Sequence, residues 1–136
     1  MGATQKISSG GPWEASIGYS RATVAGPHVF VSGSTATVNG ELQHAGDAHG
    51  QTKVAFEVIA AALAQAGHTL DDVVRTRMYL ANADDMDAVG RAHGELFGDI
   101  RPAANGGEIA DRAVILLRRV GKSPGAQQVE EVDQCL

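Results

Sequence analysis

DVVRTRMYLAN, Asp72 to Asn82, lies between two segments of helical periodicity and itself alternates with a period of two. Val74, Thr76, Met78 and Leu80 fall on one face of an extended strand, and Val73, Arg75, Arg77 and Tyr79 on the other. Two such faces need two environments, a packed layer on one side and solvent or a second subunit on the other. The neighbouring segments supply the packed layer.

Upstream, Ala55, Ile59, Ala62, Leu63 and Ala66 form one stripe of a helix predicted over Ala48 to Ala66. Asp47 is placed to cap its start and Gly67 to end it. Downstream, Met86, Val89, His93, Leu96 and Phe97 mark a second amphipathic helix over Asp84 to Phe97, with acidic residues at its dipole-positive end. The run GDIRP terminates it.

Before the first helix, Arg21 to Ala25 and His28 to Ser32 are β-rich runs separated by the turn AGP, so they read as a hairpin. Asn39-Gly40 suits a type I′ turn with a short strand on each side. One or more strands follow Pro102. Residues 1–136 therefore form one α+β domain, a mixed sheet with two helices on one face. The Arg75, Arg77, Tyr79 face suits a symmetric oligomer whose sheets pack around polar side chains.

Composition removes several functions. With 43% hydrophobic residues, 20% charged and a formal net charge of −5, the chain has no electrostatic footprint for nucleic acid. No segment approaches the apolar length of a membrane span and MGATQKISSGG lacks a signal-peptide core, so a cytoplasmic location is expected, with no membrane partner. The single cysteine, Cys135, permits neither an internal disulfide nor a thiolate cluster. His28, His44, His49, His68 and His93 show no metal-ligand spacing, and no metal or cofactor is expected. VSGST lacks the GxSxG elbow, and neither SSGGPW nor AANGGE is a nucleotide loop.

Three features retain chemical interest. His93, on an apolar stripe, is a core or interface histidine or a pocket acid or base. Arg75 and Arg77 present two guanidinium forks on one strand face, for an anion or for ion pairs across a subunit boundary. DIRPAANGGEIADRA, Asp99 to Ala113, approaches like a buried strand yet carries Asn105, Gly106 and Gly107 where side chains should pack. In isolation it reads as a hairpin turn, an anion-cradling loop or an active-site strand.

GYSRATVAGPHVFVSGSTA, followed by a helix and AGHTLDDVVRTRMYLANADDMDAVGRAHGELFGDIRPAA, resembles the Rid family of reactive-intermediate deaminases, also called YjgF/YER057c/UK114, over about residues 17–110. The most specific elements are the VFVSG strand, the DVVRTRMYL strand and the RPA lead into the next strand. The resemblance implies a chorismate-mutase-like fold, a homotrimer forming a barrel with clefts between subunits, and a small-molecule metabolite as ligand. It also implies cofactor-free hydrolysis of 2-imino acids to 2-keto acids and ammonia. A carboxylate clamp and a positioned water are the chemical needs of that reaction.

In the family an arginine after PA supplies the clamp, and that position falls on Ala104. The resemblance therefore implies that the ordinary deaminase step is lost or greatly weakened. It assigns Tyr19 to a pocket tyrosine, Ser32 and Gly33 to the strand lining the cleft, and Glu108 to the acidic residue of the penultimate strand. Glu108, His93 and Arg101 are the catalytic candidates; Arg77, Ala104, Asn105 and Gly106 join Tyr19, Ser32 and Gly33 as substrate-binding candidates.

After Ala110 the chain leaves the family pattern, and a shifted reading frame is the expected origin of this tail, which should weaken the trimer mildly. AVILL offers a buried final strand by its β-branched run. VEEV, Val129 to Val132, resembles the family's terminal VEIEA motif but requires an enlarged loop. An enzyme, a trimer that binds metabolites without turning them over, and an endoribonuclease are the competing functions, the last disfavoured by charge.

Overall fold

The computed structural model describes residues 4–108 and 128–135, the backbone alone for Glu108 and for 128–135. Its main sheet has six strands in the order β1-β2-β3-β8-β6-β7: Gln5–Ile7, Ala22–Ala25, His28–Ser34, Gln128–Cys135, Arg75–Leu80 and Ala103–Glu108. The first two pairings are antiparallel and the remaining three parallel. A separate two-stranded ribbon joins β4, Thr37–Val38, to β5, Glu41–Leu42.

Local chemistry accounts for most of these elements. Ala25 pairs with His28, leaving Gly26-Pro27 as the turn, with Gly26 at φ +58°. Asn39 and Gly40 both adopt positive φ in the β4–β5 turn, as the Asn-Gly pair predicts. Helix α2 spans Ala48–Gln65, and Asp47 accepts a hydrogen bond from the Gly50 N–H at 3.0 Å. Helix α3 spans Met86–Phe97, preceded by a 3₁₀ turn at Ala83–Asp85. A short helix absent from the sequence reading, α1, occupies Trp13–Ile17.

Both long helices cover one face of the sheet. Phe56, Ile59 and Leu63 of α2 meet Val29 and Val31 of β3, with Ile7, Val24 and Phe97 in the same core. Met78 and Leu80 of β6 pack with Val89 of α3 in a second cluster. Thr76, Met78 and Leu80 are buried as the alternation predicts, and Arg75, Arg77 and Tyr79 are half-buried on the opposite face. Val73 departs from the prediction. It belongs to the core because the 3₁₀ turn Leu70–Asp72 ends there and strand geometry starts only at Arg75.

The final position of the sheet is settled by VEEV. β8 runs between β3 and β6, with Val31 opposite Val132 and Thr76 opposite the same residue on the other side. AVILL lies outside the described residues.

Candidate functional site

The residues singled out in the sequence occupy two regions. The first lies at the C-terminal end of β3. Gly18, at φ +85°, ends α1 and turns the chain into Tyr19, Ser20 and Arg21, which lead into β2. The hairpin then brings this segment against Ser32, Gly33 and Ser34. Ser32 Oγ donates to the Ser20 carbonyl at 2.6 Å, so its hydroxyl fastens the two strands together.

Arg21, unremarked in the sequence, is the centre of this region. Only 9% of its surface is exposed. Its Nη1 donates to the Gly33 carbonyl at 2.6 Å, to Ser34 Oγ at 2.9 Å and, at 3.4 Å, to the Ser32 carbonyl. Nη2 has a single long contact, 3.5 Å to the Tyr19 hydroxyl, and the guanidinium lies 5.5 Å from the centroid of the same ring. Nε is buried without a hydrogen-bond partner, and no carboxylate pairs with Arg21 among the described residues.

Arg21 opens onto a cavity of about 360 Å³. Tyr19, Gly33, Ser34 and Thr35 line it together with the segment Ser9–Trp13 and the turn Asn39-Gly40. Among the described residues, Arg21 is the only charged one in the lining. The Ser9–Trp13 wall is held by Glu14, whose carboxylate accepts from Ser8 Oγ at 2.6 Å and from Ser9 N and Oγ at 2.9 and 2.5 Å. These hydrogen bonds hold the Glu14 pKa down at about 2.

The second region lies at the opposite end of the sheet. Ala104, Asn105 and Gly106 are exposed on the edge strand β7, in register with Thr76, Arg77 and Met78. A Cβ on Gly106 would lie 3.5 Å from Met78 Cε and from Met86 Cε and Sδ, ordinary packing distance, so the glycine leaves a contact unmade. Glu108 closes β7 opposite Leu80. Arg101 is exposed, follows α3 with φ +53°, and its N–H donates to the Phe97 carbonyl at 2.8 Å.

His93 stands behind the neighbouring strand β6, on the helix-covered face. Its Nε2 lies 2.9 Å from Thr76 Oγ1, and its ring stacks on Phe97 at 4.7 Å and meets Phe56 edge-on at 5.9 Å. Burial pushes its pKa below the ordinary histidine value. Arg77 projects on the other face, with Nη1 3.5 Å from the Tyr79 hydroxyl.

Within one subunit the two regions do not meet. β8 and β6 separate β3 from β7, a distance of roughly 14 Å at ordinary strand spacing. Tyr19, Ser32 and Gly33 therefore form one group, and Ala104, Asn105 and Gly106 another. Among the described residues no group of three or more His, Cys, Asp or Glu is disposed to hold a metal, and no helix is long and apolar enough to cross a membrane.

The family model for endoribonuclease L-PSP matches residues 12–111. The chain belongs to this family, known also as Rid or YjgF/YER057c/UK114. An uncharacterized protein of Streptomyces coelicolor is 48% identical over 100 residues, 74% of this chain and 75% of the relative. The 3-aminoacrylate deaminase RutC of Acinetobacter baylyi is 36% identical over 86 residues, 62% of this chain and 68% of that protein. The crystal structure of Rv2704, a YjgF/YER057c/UK114 family member from Mycobacterium tuberculosis, superposes with a TM-score of 0.71 at 38% identity, covering 82% of this chain and 89% of that one. The Rid fold expected from VFVSG and DVVRTRMYL is thus the fold observed.

Proposed function

We propose that the protein is a homotrimeric Rid-type handler of small imine or enamine carboxylic acids. The observation that carries this reading is the cavity lined by Tyr19 and Gly33, the positions the family resemblance assigns to the ligand cleft. Its volume of about 360 Å³ suits a small metabolite and is far too small for a folded polymer. The family's reaction adds water across C=N, giving a carbinolamine that expels ammonia and leaves the 2-keto acid. The protein must orient the carboxylate, position water and manage one proton.

Ala104 cannot supply the clamp of the ordinary family mechanism, so hydrolysis is slow or absent and binding dominates. Glu108 is the candidate for proton management and Arg101 for a substitute charge, with Arg77, Asn105 and Gly106 completing the cleft from a neighbouring subunit. His93, packed between Phe56 and Phe97 on the helix-covered face, supports strand β6 from behind. The separation of roughly 14 Å between the two regions of one subunit favours such sharing. Cleavage of RNA is disfavoured by the net charge of −5.

The test is keto-acid release from 2-iminobutanoate generated in situ, for wild type and Ala104→Arg, above the spontaneous rate. Little or no acceleration by wild type and a clear gain in Ala104→Arg are expected. Wild-type acceleration matching that of arginine-bearing relatives would defeat the binding-dominated reading. No gain in Ala104→Arg, with trimer and fold intact, would defeat the assignment of Ala104 to the clamp position.

A further inference from the structure

We propose that Arg21 is the anion-holding group of the β3 cavity, taking a small monocarboxylate between its Nη2 and the Tyr19 hydroxyl. A guanidinium this deeply buried ordinarily has a carboxylate partner, because a desolvated charge is costly when left unpaired. Arg21 instead spends Nη1 on neutral oxygens of Ser32, Gly33 and Ser34. Its charge has no counterion among the described residues. Glu14, the nearest acidic residue in sequence, has both carboxylate oxygens engaged by Ser8 and Ser9.

The same contacts make Arg21 a preorganised receptor. The two N–H groups of Nη1, donating to Gly33 and Ser34 with the Ser32 carbonyl sharing one of them, hold the plane of the guanidinium, so little side-chain freedom remains to be lost when a ligand arrives. Nη2 and the Tyr19 hydroxyl stand 3.5 Å apart, too far for a strong mutual bond and well spaced for the two oxygens of one carboxylate. One charge among the described lining residues matches a monoanion better than a phosphate dianion. Trp13, Val38 and Val58 line the rest of the cavity with apolar surface, the place for a short hydrocarbon chain.

The cavity therefore carries a positive charge at the β3 end while the family's clamp position, Ala104, is neutral on β7. The anion is held from the other side of the cleft. This assignment rests on the metabolite reading above, so its test must be independent of turnover.

Trp13 is the only tryptophan of the chain and lines the cavity, so its fluorescence reports occupancy directly. The full chain is titrated with 2-oxobutanoate, with its neutral amide and with inorganic phosphate. Saturable quenching by 2-oxobutanoate is expected, with binding of the amide weaker by at least about tenfold, the usual worth of a charge-assisted hydrogen bond. Arg21→Gln should weaken 2-oxobutanoate binding by a similar factor and Tyr19→Phe by a smaller one, with Arg21→Lys intermediate.

Should Arg21→Gln fail to fold, the Arg21 Nε–H resonance of ¹⁵N-labelled wild type must shift on saturation with 2-oxobutanoate. No shift, equal binding of the amide, unaltered affinity in a folded Arg21→Gln, or phosphate binding as tight as 2-oxobutanoate would each overturn the proposal. Arg21-dependent binding without imine hydrolysis would sink the enzymatic reading and leave this one standing. Imine hydrolysis with a KM unchanged in Arg21→Gln would do the reverse.

Discussion

Replacing Thr76 by valine tests how His93 is held. Thr76 is fully buried, its Oγ1 lies 2.9 Å from His93 Nε2, and valine preserves its shape while deleting the hydroxyl. Leaving a half-buried ring nitrogen unpaired costs about 1–3 kcal/mol, and the added methyl returns about 0.8 kcal/mol by apolar burial. The net loss expected is about 0.2–2.2 kcal/mol, a fall in Tm of roughly 1–8 °C for a chain of 136 residues. Acid should add to it. Burial lowers the folded-state pKa of His93, so the unfolded chain binds the proton more readily. The stability from a neutral His93 is complete above the unfolded value near 6.5 and is lost as pH falls through the lower, folded one. Urea denaturation of wild type and Thr76→Val at pH 8 and pH 5.5, with NMR titration of the His93 ring, measures both effects. A variant no less stable than wild type, or a ring titrating at or above about 6.5, would refute the reasoning.

Glu14→Gln should loosen the Ser8–Trp13 wall of the cavity: hydrogen exchange of the Ser9 amide should accelerate by about tenfold or more at pH 7, since a charged acceptor is lost. Because the folded pKa of Glu14 is depressed to about 2, wild type should lose this protection as pH falls from about 4.5 towards 2, and the variant should show no such dependence. Asp47→Ala, which removes the hydrogen bond to the Gly50 N–H, should cost about 1 kcal/mol in denaturant unfolding.

Much of the fold was legible because its signals are local. The Gly26-Pro27 and Asn39-Gly40 turns, the Asp47 cap and the two helical stripes each depend on a few adjacent residues. Val73 was misassigned because alternation was extended one turn too far, into a segment whose Thr69–Asp72 capping box sets a different geometry. β1 was missed because three residues, Gln5–Ile7, carry too little pattern to stand out. The central strand was ambiguous for another reason. Parallel strands buried on both faces favour continuous apolar runs, which drew attention to AVILL, while the structure seats the mixed run at 128–135 beside β3.

Tyr19 and Gly33 were found through resemblance, and Arg21 was not. It sits two residues after Tyr19 at the alternation position shared with half-buried Thr23, where a charge is unremarkable. Its partners lie 11 to 13 residues away across the hairpin. Only the folded backbone, turning the Ser32 and Gly33 carbonyls towards it, reveals that this charge is enclosed.

The placement of β8 also dictates an order of events during synthesis. Among the described strands, β1–β3 and β6–β7 are two ribbons joined within the sheet by the strand from Gln128 to Cys135. Until residue 135 leaves the ribosome, β3 and β6 each present an unpaired edge, and every contact that closes the sheet spans a long stretch of chain. Such closure is slow and leaves the nascent protein open to edge-to-edge association. A nascent chain arrested before residue 128 would hold the two ribbons without the strand that joins them, which makes it a natural client for chaperones.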